Sequence, residues 1–343
     1  MKKFNVHRRD ILLLSSIILV FTIGLDTPHA FAAPGDFVGT VTFNVDCPSG
    51  LGVGIAFDGT DLWYSCYLSG MDLKRADAVT GIVEYETDIV TEGGLGALSY
   101  DATRDVIWAG DGGGTGGGGE VYKIQLTGPA GSKTVSGSTL EFDVEPDVGS
   151  CGLDDGLAFD ARNVGNPNDD RIYYSNDCVT TTIRTFTLAG VLDETFPWTG
   201  TSGYNSGLAV GGQLLLQGAN GASHVWVVDK TTKSADFDFP TNVVVTDPNF
   251  RDEDLECDTV TFAPIHVMWS KEAHSPMRAH AFEFKLNQCG VGGVTGTPVG
   301  GEILPINSVA LLLGGIQSMT LWMAPVLAGA AGTAAFYLKS RKN

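Results

Sequence analysis

The residues with the clearest chemical potential are acidic and lie in one short stretch, residues 252–258. This stretch reads Asp-Glu-Asp-Leu-Glu-Cys-Asp and supplies five carboxylates in seven residues. Carboxylates held this close repel one another unless a cation or a proton intervenes. Carboxylate and amide oxygens are also the donors that a hard cation such as Ca²⁺ prefers. The stretch therefore indicates a site for Ca²⁺ or another divalent cation or, alternatively, acids that line a water-filled channel mouth and cap turns.

A short sequence pattern recurs along the chain and predicts how such residues are positioned. Its clearest copy is Gly156–Asp160 followed by Arg171–Ser175, which is a small-residue-rich strand, a polar turn and an aromatic strand. A period of about fifty residues built from strands alone is typical of a β-propeller, a radial array of small antiparallel sheets. The five copies begin at Gly54, Gly96, Gly156, Gly207 and Thr259.

The chain ends supply the strands that complete the last blade. The first four copies are each followed by two further strand-like segments, whereas the fifth is followed only by 279–286. Segment 37–45 alternates like a strand and has no blade of its own. We therefore predict an all-β fold, a five-bladed propeller over 37–289 that the N-terminal strand closes, which removes exposed sheet edges. Six blades are the alternative.

In a propeller, the loops that enter the innermost strands gather at one face with the loops that join second to third strands. Acids and amides in these loops are candidates for a site at this mouth. The candidate metal ligands are Asp154, Asp155, Asn205, Glu256 and Asp258. The candidate ligand-facing residues of the second-to-third loops are Asp111, Asn176, Asp177, His274 and Arg278.

The repeated Gly-Leu-Ala-Phe-Asp pattern resembles the repeats of NHL, streptogramin-lyase-like and gluconolactonase-type propellers, and the resemblance covers most of the body. The gluconolactonase-type resemblance implies a metal-dependent site of axial acids and amides. Such an ion would lie among Asp155, Asn205 and either Glu256 or Asp258. The motifs of that family do not align residue by residue, so the resemblance assigns no catalytic role.

Six cysteines in a chain with a secretion signal predict three disulfides. Two copies of the repeat carry cysteines at equivalent places, one before the innermost strand and one after the second strand. The chain has no Cys-x-x-Cys spacing that would favour a metal site instead. The predicted pairs are Cys47–Cys66, Cys151–Cys178 and Cys257–Cys289.

The sequences of the two chain ends predict the cellular location of the protein. Residues 1–32 have the basic, apolar and small-residue order of a signal peptide. Residues 290–303 form a Gly-rich stalk, and 304–338 are apolar, with a transmembrane helix at about 318–338. The basic tail 339–343 predicts a cytoplasmic C-terminus and an extracellular propeller. This end resembles the C-terminal anchors of archaeal surface proteins, particularly those of ammonia-oxidising archaea, which implies a cell-surface address.

The net charge and the predicted membrane anchor together reduce the number of functions that the chain could have. The net charge of −19 disfavours nucleic-acid binding, because phosphate contacts need a basic face. We expect a membrane-anchored surface module that binds an extracellular ligand, such as an envelope protein or a glycan. The alternative is a metal-dependent hydrolase or lyase with its site at the acidic mouth, and a purely structural envelope role is a third possibility.

Overall fold

The computed structural model describes residues 33–289 except 69–70, 90, 92, 114–117, 150–153, 163–165, 176–181, 198–204, 213, 220–222, 243–250 and 286–287. The predicted signal peptide, stalk and membrane anchor lie outside this part of the chain. Within it, no helix has the length and apolar character needed to cross a membrane.

The described strands form five antiparallel sheets of four strands each. The first contains β2 (Ile55–Phe57), β3 (Asp61–Ser65), β4 (Leu73–Asp77) and β5 (Val83–Thr87). The second contains β6 (Leu95–Asp101), β7 (Val106–Asp111), β8 (Glu120–Thr127) and β9 (Thr134–Asp143). The third contains β10 (Gly156–Asp160), β11 (Arg171–Ser175), β12 (Thr182–Thr187) and β13 (Leu192–Pro197). The fourth contains β14 (Asn205–Val210), β15 (Leu214–Ala219), β16 (His224–Asp229) and β17 (Ala235–Pro240).

The last sheet joins the two ends of the body. It is ordered β1 (Phe37–Thr42), β20 (Arg278–Phe284), β19 (His266–Glu272) and β18 (Asp252–Asp258). The innermost strands contact one another in the cyclic order β2, β6, β10, β14 and β18, and β18 returns to β2. The all-β, propeller-like fold is therefore confirmed, and strand 37–42 completes the last sheet as expected. Short helices occur at Glu145–Val148 and Pro167–Asp169.

The fifth copy of the repeat corrects the sequence prediction. We expected its innermost strand to begin at Thr259, but the strand is Asp252–Asp258, and 259–265 form the turn into β19. The acidic stretch is therefore the innermost strand itself rather than a loop that enters it. Acids are depleted in strands, which is why the pattern indicated a loop.

A recurring contact between aspartate and tryptophan fixes the turn between first and second strands. Asp58 ends β2, and its carboxylate accepts bonds from the Thr60 and Asp61 amides (3.0 and 2.9 Å) and from Trp63 Nε1 (2.9 Å). Without Asp58, the two turn amides and the buried indole N–H would lack a hydrogen-bond acceptor. The same aspartate–tryptophan pairing recurs at Asp101–Trp108 (3.4 Å) and Asp258–Trp269 (2.9 Å).

The hydrophobic core lies between neighbouring sheets. Between the last sheet and the first, Val267 and Trp269 of β19 pack in one buried cluster with Ile55, Leu62 and Tyr64. Similar clusters fill the spaces between the other described sheets. The alternation of apolar residues along each strand therefore serves two interfaces, one on each face of the blade.

Two of the three predicted disulfides are confirmed. Cys47–Cys66 and Cys257–Cys289 are bonded, with S–S distances of 2.07 and 2.03 Å. The first ties the chain that enters the first sheet to the end of β3, and the second ties β18 to the end of the body. Cys151 and Cys178 lie outside the described residues.

Candidate functional site

Loops at one end of the inner strands are joined by backbone hydrogen bonds. This arrangement agrees with the expectation that entering loops and second-to-third loops share a face, which we call the mouth face. The bonds run from the amides of Gly52, Leu68, Gly112 and Asp154 to the carbonyls of Ala273, Gly93, Gly94 and Asp111, respectively, at 2.9–3.2 Å. Three of the four bonds link neighbouring sheets, and the bond from Gly112 to Gly94 joins two loops of the second sheet. The described mouth loops, from the last sheet through the first and second to the start of β10, are therefore connected to one another.

Asp254 of β18 lies where inner strands meet. It occupies the position that Gly54 holds in the first sheet, four residues before the aspartate of the turn. Its Oδ2 accepts bonds from the Ile55 amide of β2 (3.0 Å) and the Leu98 amide of β6 (2.9 Å). The side chain is completely buried, and burial raises the pKa of this carboxyl well above its usual range.

Glu256 repeats this arrangement two residues further along β18. Its carboxylate accepts bonds from the amides of Tyr100 (3.3 Å) and Cys257 (2.8 Å), and also from Phe57. Burial raises the pKa of Glu256 to about 8. An innermost strand has one edge with no partner strand, so its amides need other acceptors. Asp254 and Glu256 supply these acceptors to both β2 and β6.

Asp154 and Asp155 precede β10 and are both fully buried. Asp154 Oδ2 accepts bonds from the amides of Asp111 and Gly119, each at 3.2 Å, and its Oδ1 accepts the hydroxyl of Tyr174. Burial raises the pKa of Asp154 to about 8. This carboxyl therefore connects the second sheet to the third, a role that the sequence did not indicate.

Asp258 lies at the other end of β18, away from the mouth. Its Oδ1 accepts the amides of Val260 and Thr261 (2.7 and 2.9 Å), and its Oδ2 accepts Trp269 Nε1. The predicted ligand Asn205 is the first residue of β14. Among the described residues, no group of three or more His, Cys, Asp and Glu side chains has the geometry to hold a metal ion. Metal binding by the five candidates stays a prediction.

Replacing Asp258 separates a structural role from metal binding. We expect Asp258→Ala to lower the free energy of unfolding by about 2–3 kcal/mol, because three donors lose their acceptor. Asp58→Ala is the matched control, since Asp58 holds the same three types of donor in the first sheet. Urea unfolding with and without Ca²⁺ checks this. A calcium-dependent midpoint that disappears only in Asp258→Ala would contradict the structural role.

The ligand-facing candidates have separate positions. Asp111 is buried beside Asp154 at the end of β7, and Asn176 and Asp177 lie outside the described residues. His274 is half-buried and forms an isolated bridge with Leu51 on the mouth face. Arg278 begins β20, and its Nη2 donates to Glu272 Oε1 at 2.7 Å.

Lys271 is a buried cation that sequence reasoning missed. It pairs across β18 and β19 with Asp254, and its Nζ donates to the carbonyls of Gly52 (3.3 Å) and Glu272 (2.5 Å). Burial lowers its pKa to about 7, opposed by the surrounding acids. A lysine inside an alternating strand carries no sequence signal of burial, so only the fold could reveal it.

Comparisons with known proteins leave the family open. No protein-family model matches the chain, and no curated protein sequence matches it. Glutaminyl cyclase from Myxococcus xanthus is similar in structure at 8% identity, covering 73% of this chain and 97% of that one, with a TM-score of 0.48. PQQ-bound aldose sugar dehydrogenase from Streptomyces coelicolor is similar at 13% identity, with coverages of 73% and 99% and a TM-score of 0.44.

A third similar structure is the WD40 repeat domain of RRP9, at 8% identity, with coverages of 70% and 62% and a TM-score of 0.39. At these identities and TM-scores, none of the three proteins indicates an activity for this chain. The site must therefore be interpreted from its own residues.

One loop of the mouth face exposes apolar side chains in an unusual backbone conformation. Leu68 and Met71, between β3 and β4, have φ values of 57° and 60°. They expose 55% and 46% of their surface. A left-handed backbone is disfavoured for such residues and persists only where the surroundings enforce it. Here the Cys47–Cys66 disulfide lies directly before the loop.

Proposed function

We propose that this chain is a membrane-anchored, five-bladed cell-surface propeller that binds an extracellular ligand or an envelope partner through its mouth face. The observation that carries the proposal is that the buried acids of β18 act as hydrogen-bond acceptors for neighbouring strands. Asp254 and Glu256 complete the backbone hydrogen bonding of β2 and β6. Carboxylates engaged in this way support a rigid scaffold, and the surface left for recognition includes the described mouth loops, which are connected from the last sheet to the start of β10.

The apolar loop is the part of the mouth face best suited to contact a partner. Exposed apolar side chains on a rigid surface are typical of interaction sites. Leu68 is held by its amide bond to the Gly93 carbonyl (3.1 Å), and the adjacent Tyr67 bridges to Gly94. Residues held in place before binding, such as Tyr67 and Leu68, lose little conformational entropy when a partner docks.

The proposed address rests on the chain ends and the cysteines. Two disulfides and no free cysteine among the described residues are typical of proteins outside the reducing cytosol. The signal at 1–32 and the apolar segment at 318–338 then provide export and anchoring. The negatively charged propeller would face the outside of the cell and stay soluble there.

Charge introduced into the apolar loop should abolish binding. The variant Leu68→Asp/Met71→Asp, in the full-length chain in detergent, should bind isolated envelopes of the source cell at least about tenfold more weakly, because the partner would have to desolvate two carboxylates. Saturation binding of fluorescently labelled protein measures this effect.

The matched control is Val79→Asp/Val191→Asp. These valines are 71% and 62% exposed and lie in hairpin turns between third and fourth strands, at the end opposite the mouth. They should bind like the unmodified chain. Equal weakening in both double variants, or the absence of saturable binding by the unmodified chain, would refute the mouth face as the binding surface.

A further inference from the structure

A row of polar side chains crosses the last sheet, from its buried inner strand to its exposed outer strand. In strand register, Ser270 of β19 pairs with His280 of β20, and His280 pairs with Thr40 of β1. Thr40 is exposed, whereas His280 and Glu272 are each 1% exposed. The row therefore places a solvent-accessible hydroxyl at the end of a buried ionisable pair.

The contacts define the protonation of the histidine. Glu272 Oε2 forms an ion pair with Arg278 Nε at 2.7 Å. The contacts with His280 and with this guanidinium hold the pKa of Glu272 below its usual range, against the effect of burial. An ionised carboxylate only accepts hydrogen bonds. We assign His280 as the neutral tautomer with its proton on Nε2, which lies 3.4 Å from Glu272 Oε2. His280 Nδ1 is then the acceptor, and Thr40 Oγ1 donates to it across 2.7 Å.

We propose that Thr40, His280 and Glu272 form an acyl-transfer site in which Thr40 is the nucleophile and His280 the base. The arrangement has the roles of a hydroxyl–imidazole–carboxylate triad, with the two ring nitrogens exchanged relative to the serine-protease order. The requirements are met: one nitrogen is oriented by an acid, and the other takes the hydroxyl proton.

The reaction begins when Thr40 Oγ attacks the carbonyl carbon of an ester and its proton moves to His280 Nδ1. The tetrahedral adduct expels the alcohol, which leaves with that proton, and Thr40 becomes an acyl ester. Water then attacks this ester and gives a proton to His280, which returns it to the departing Thr40 oxygen. The products are one carboxylic acid and one alcohol, and no other reactant is consumed.

Neighbouring residues indicate the substrate class. Phe37, three residues before Thr40 on the same strand, is 39% exposed, and its ring lies 6.0 Å from that of Phe282. This aromatic surface suits an apolar acyl group. We therefore infer esters of apolar acids.

Other charged groups near His280 are Arg278 and the buried Asp252, whose Oδ1 accepts from Ser270 Oγ at 2.8 Å. Burial raises the pKa of Asp252 to about 6. Arg278 and Glu272 neutralise each other, so the charge that surrounds the imidazole is mildly negative at pH 8. Glu272 and Arg278 flank the mouth loop that contains Ala273, whereas Thr40 lies on the outer strand. The proposed acyl transfer does not depend on the proposed binding function.

Ester hydrolysis by the full-length chain tests the proposal, with p-nitrophenyl butyrate as substrate. Thr40→Ala should lower kcat/KM at least about 100-fold, while Thr40→Ser should retain turnover. Thr42→Ala is the matched control, since Thr42 is exposed on the same strand, and it should stay within about twofold of the unmodified chain. Glu272→Gln should lower kcat with little change in KM, because Glu272 positions the base without touching the substrate.

Covalent labelling separates chemistry from folding. A fluorophosphonate should modify the unmodified chain at Thr40, as peptide mapping by mass spectrometry would show, and should not modify Thr40→Ala. Far-UV circular dichroism confirms that both chains are folded, which the exposure of Thr40 leads us to expect. Turnover by the unmodified chain no faster than that of Thr40→Ala, or labelling at another residue only, would overturn the proposal.

Discussion

The folded chain should lose stability as the pH rises from about 5 to about 8. Burial raises the pKa values of the hydrogen-bonded Asp154 and Glu256 carboxyls to about 8. Asp254 is raised in the same direction by the same cause. In the unfolded chain, these groups return to ordinary values near 4. We expect the free energy of unfolding to fall by on the order of 7 kcal/mol across this range, with about half from Asp154 and half from Glu256.

The sign follows from the protons that each state holds. Between about pH 4 and 8, the folded chain keeps the protons of Asp154 and Glu256, and the unfolded chain has already released them. The state that binds more protons is stabilised at low pH, so folding becomes less favourable as the pH rises. Below about pH 4 the difference disappears, because both states are protonated.

Other groups with shifted pKa values add to this loss of stability or oppose it. Asp61, Asp72 and Asp252 have pKa values raised to about 6, so they contribute to the loss between about pH 4 and 6. Lys271, with its pKa lowered to about 7, acts in the opposite sense. Above pH 7 the unfolded chain holds a proton on this lysine that the folded chain has released, which adds stability as the pH rises further.

Neutral isosteres should remove most of the pH dependence. Asp154→Asn/Glu256→Gln keeps acceptor oxygens for the bonded amides but cannot ionise. Its urea midpoint should fall less between pH 5 and 8 than that of the unmodified chain, with the remaining fall due to Asp254 and the carboxyls of pKa about 6, and should exceed that of the unmodified chain at pH 8. Asp105→Asn is the control, because Asp105 has a lowered pKa beside Lys133 and should keep the original slope.

Urea unfolding at five pH values, with disulfides intact, provides the measurement. A midpoint that rises from pH 5 to pH 8 in the unmodified chain would contradict the expected sign. A slope unchanged in the double variant would show that Asp154 and Glu256 do not carry the dependence, even if the sign were right.

The sequence supported the fold prediction wherever small residues recur at the inner strands. It failed at the fifth copy, because Asp254 and Glu256 stand where other copies have Gly54 and Ala56. The Asp254 position tolerates an acid because backbone amides of two neighbouring strands point at it. This arrangement arises from the tertiary structure and cannot be inferred from the local sequence. The Asp258–Trp269 pair was the available signal, as it repeats Asp58–Trp63 and would have set the correct register.

The candidate site was less predictable than the fold. Spacing placed the acids of 252–258 near one another, but strand alternation sends neighbouring side chains to opposite faces. Asp252 and Asp258 also lie at opposite ends of the seven-residue strand, so Asp258 caps a turn, whereas Asp252 accepts a bond from Ser270. The contact between Thr40 and His280 joins residues from opposite ends of the body, and only the closing strand β1 brings them together.

Adding one methyl group to an inner strand should disrupt the propeller more than most core truncations. A Cβ at Gly54 would lie 2.4 Å from the Gly96 carbonyl oxygen and 2.7 Å from the Leu98 amide nitrogen. Both atoms belong to the backbone of the neighbouring blade, so neither can move aside as a flexible side chain would. We expect Gly54→Ala to lower the free energy of unfolding by about 3 kcal/mol or more.

The chain offers a glycine in open space as the control. Gly137, in β9, has no heavy atom within 4 Å of a Cβ built on it, so Gly137→Ala should be neutral or stabilising by about 0.5–1 kcal/mol. The urea unfolding midpoints of both variants, measured in the oxidised full-length chain, test this prediction. Equal midpoints would mean that the inner strands can separate, and Asp254 and Glu256 would then have to follow β2 and β6 to keep their amide bonds.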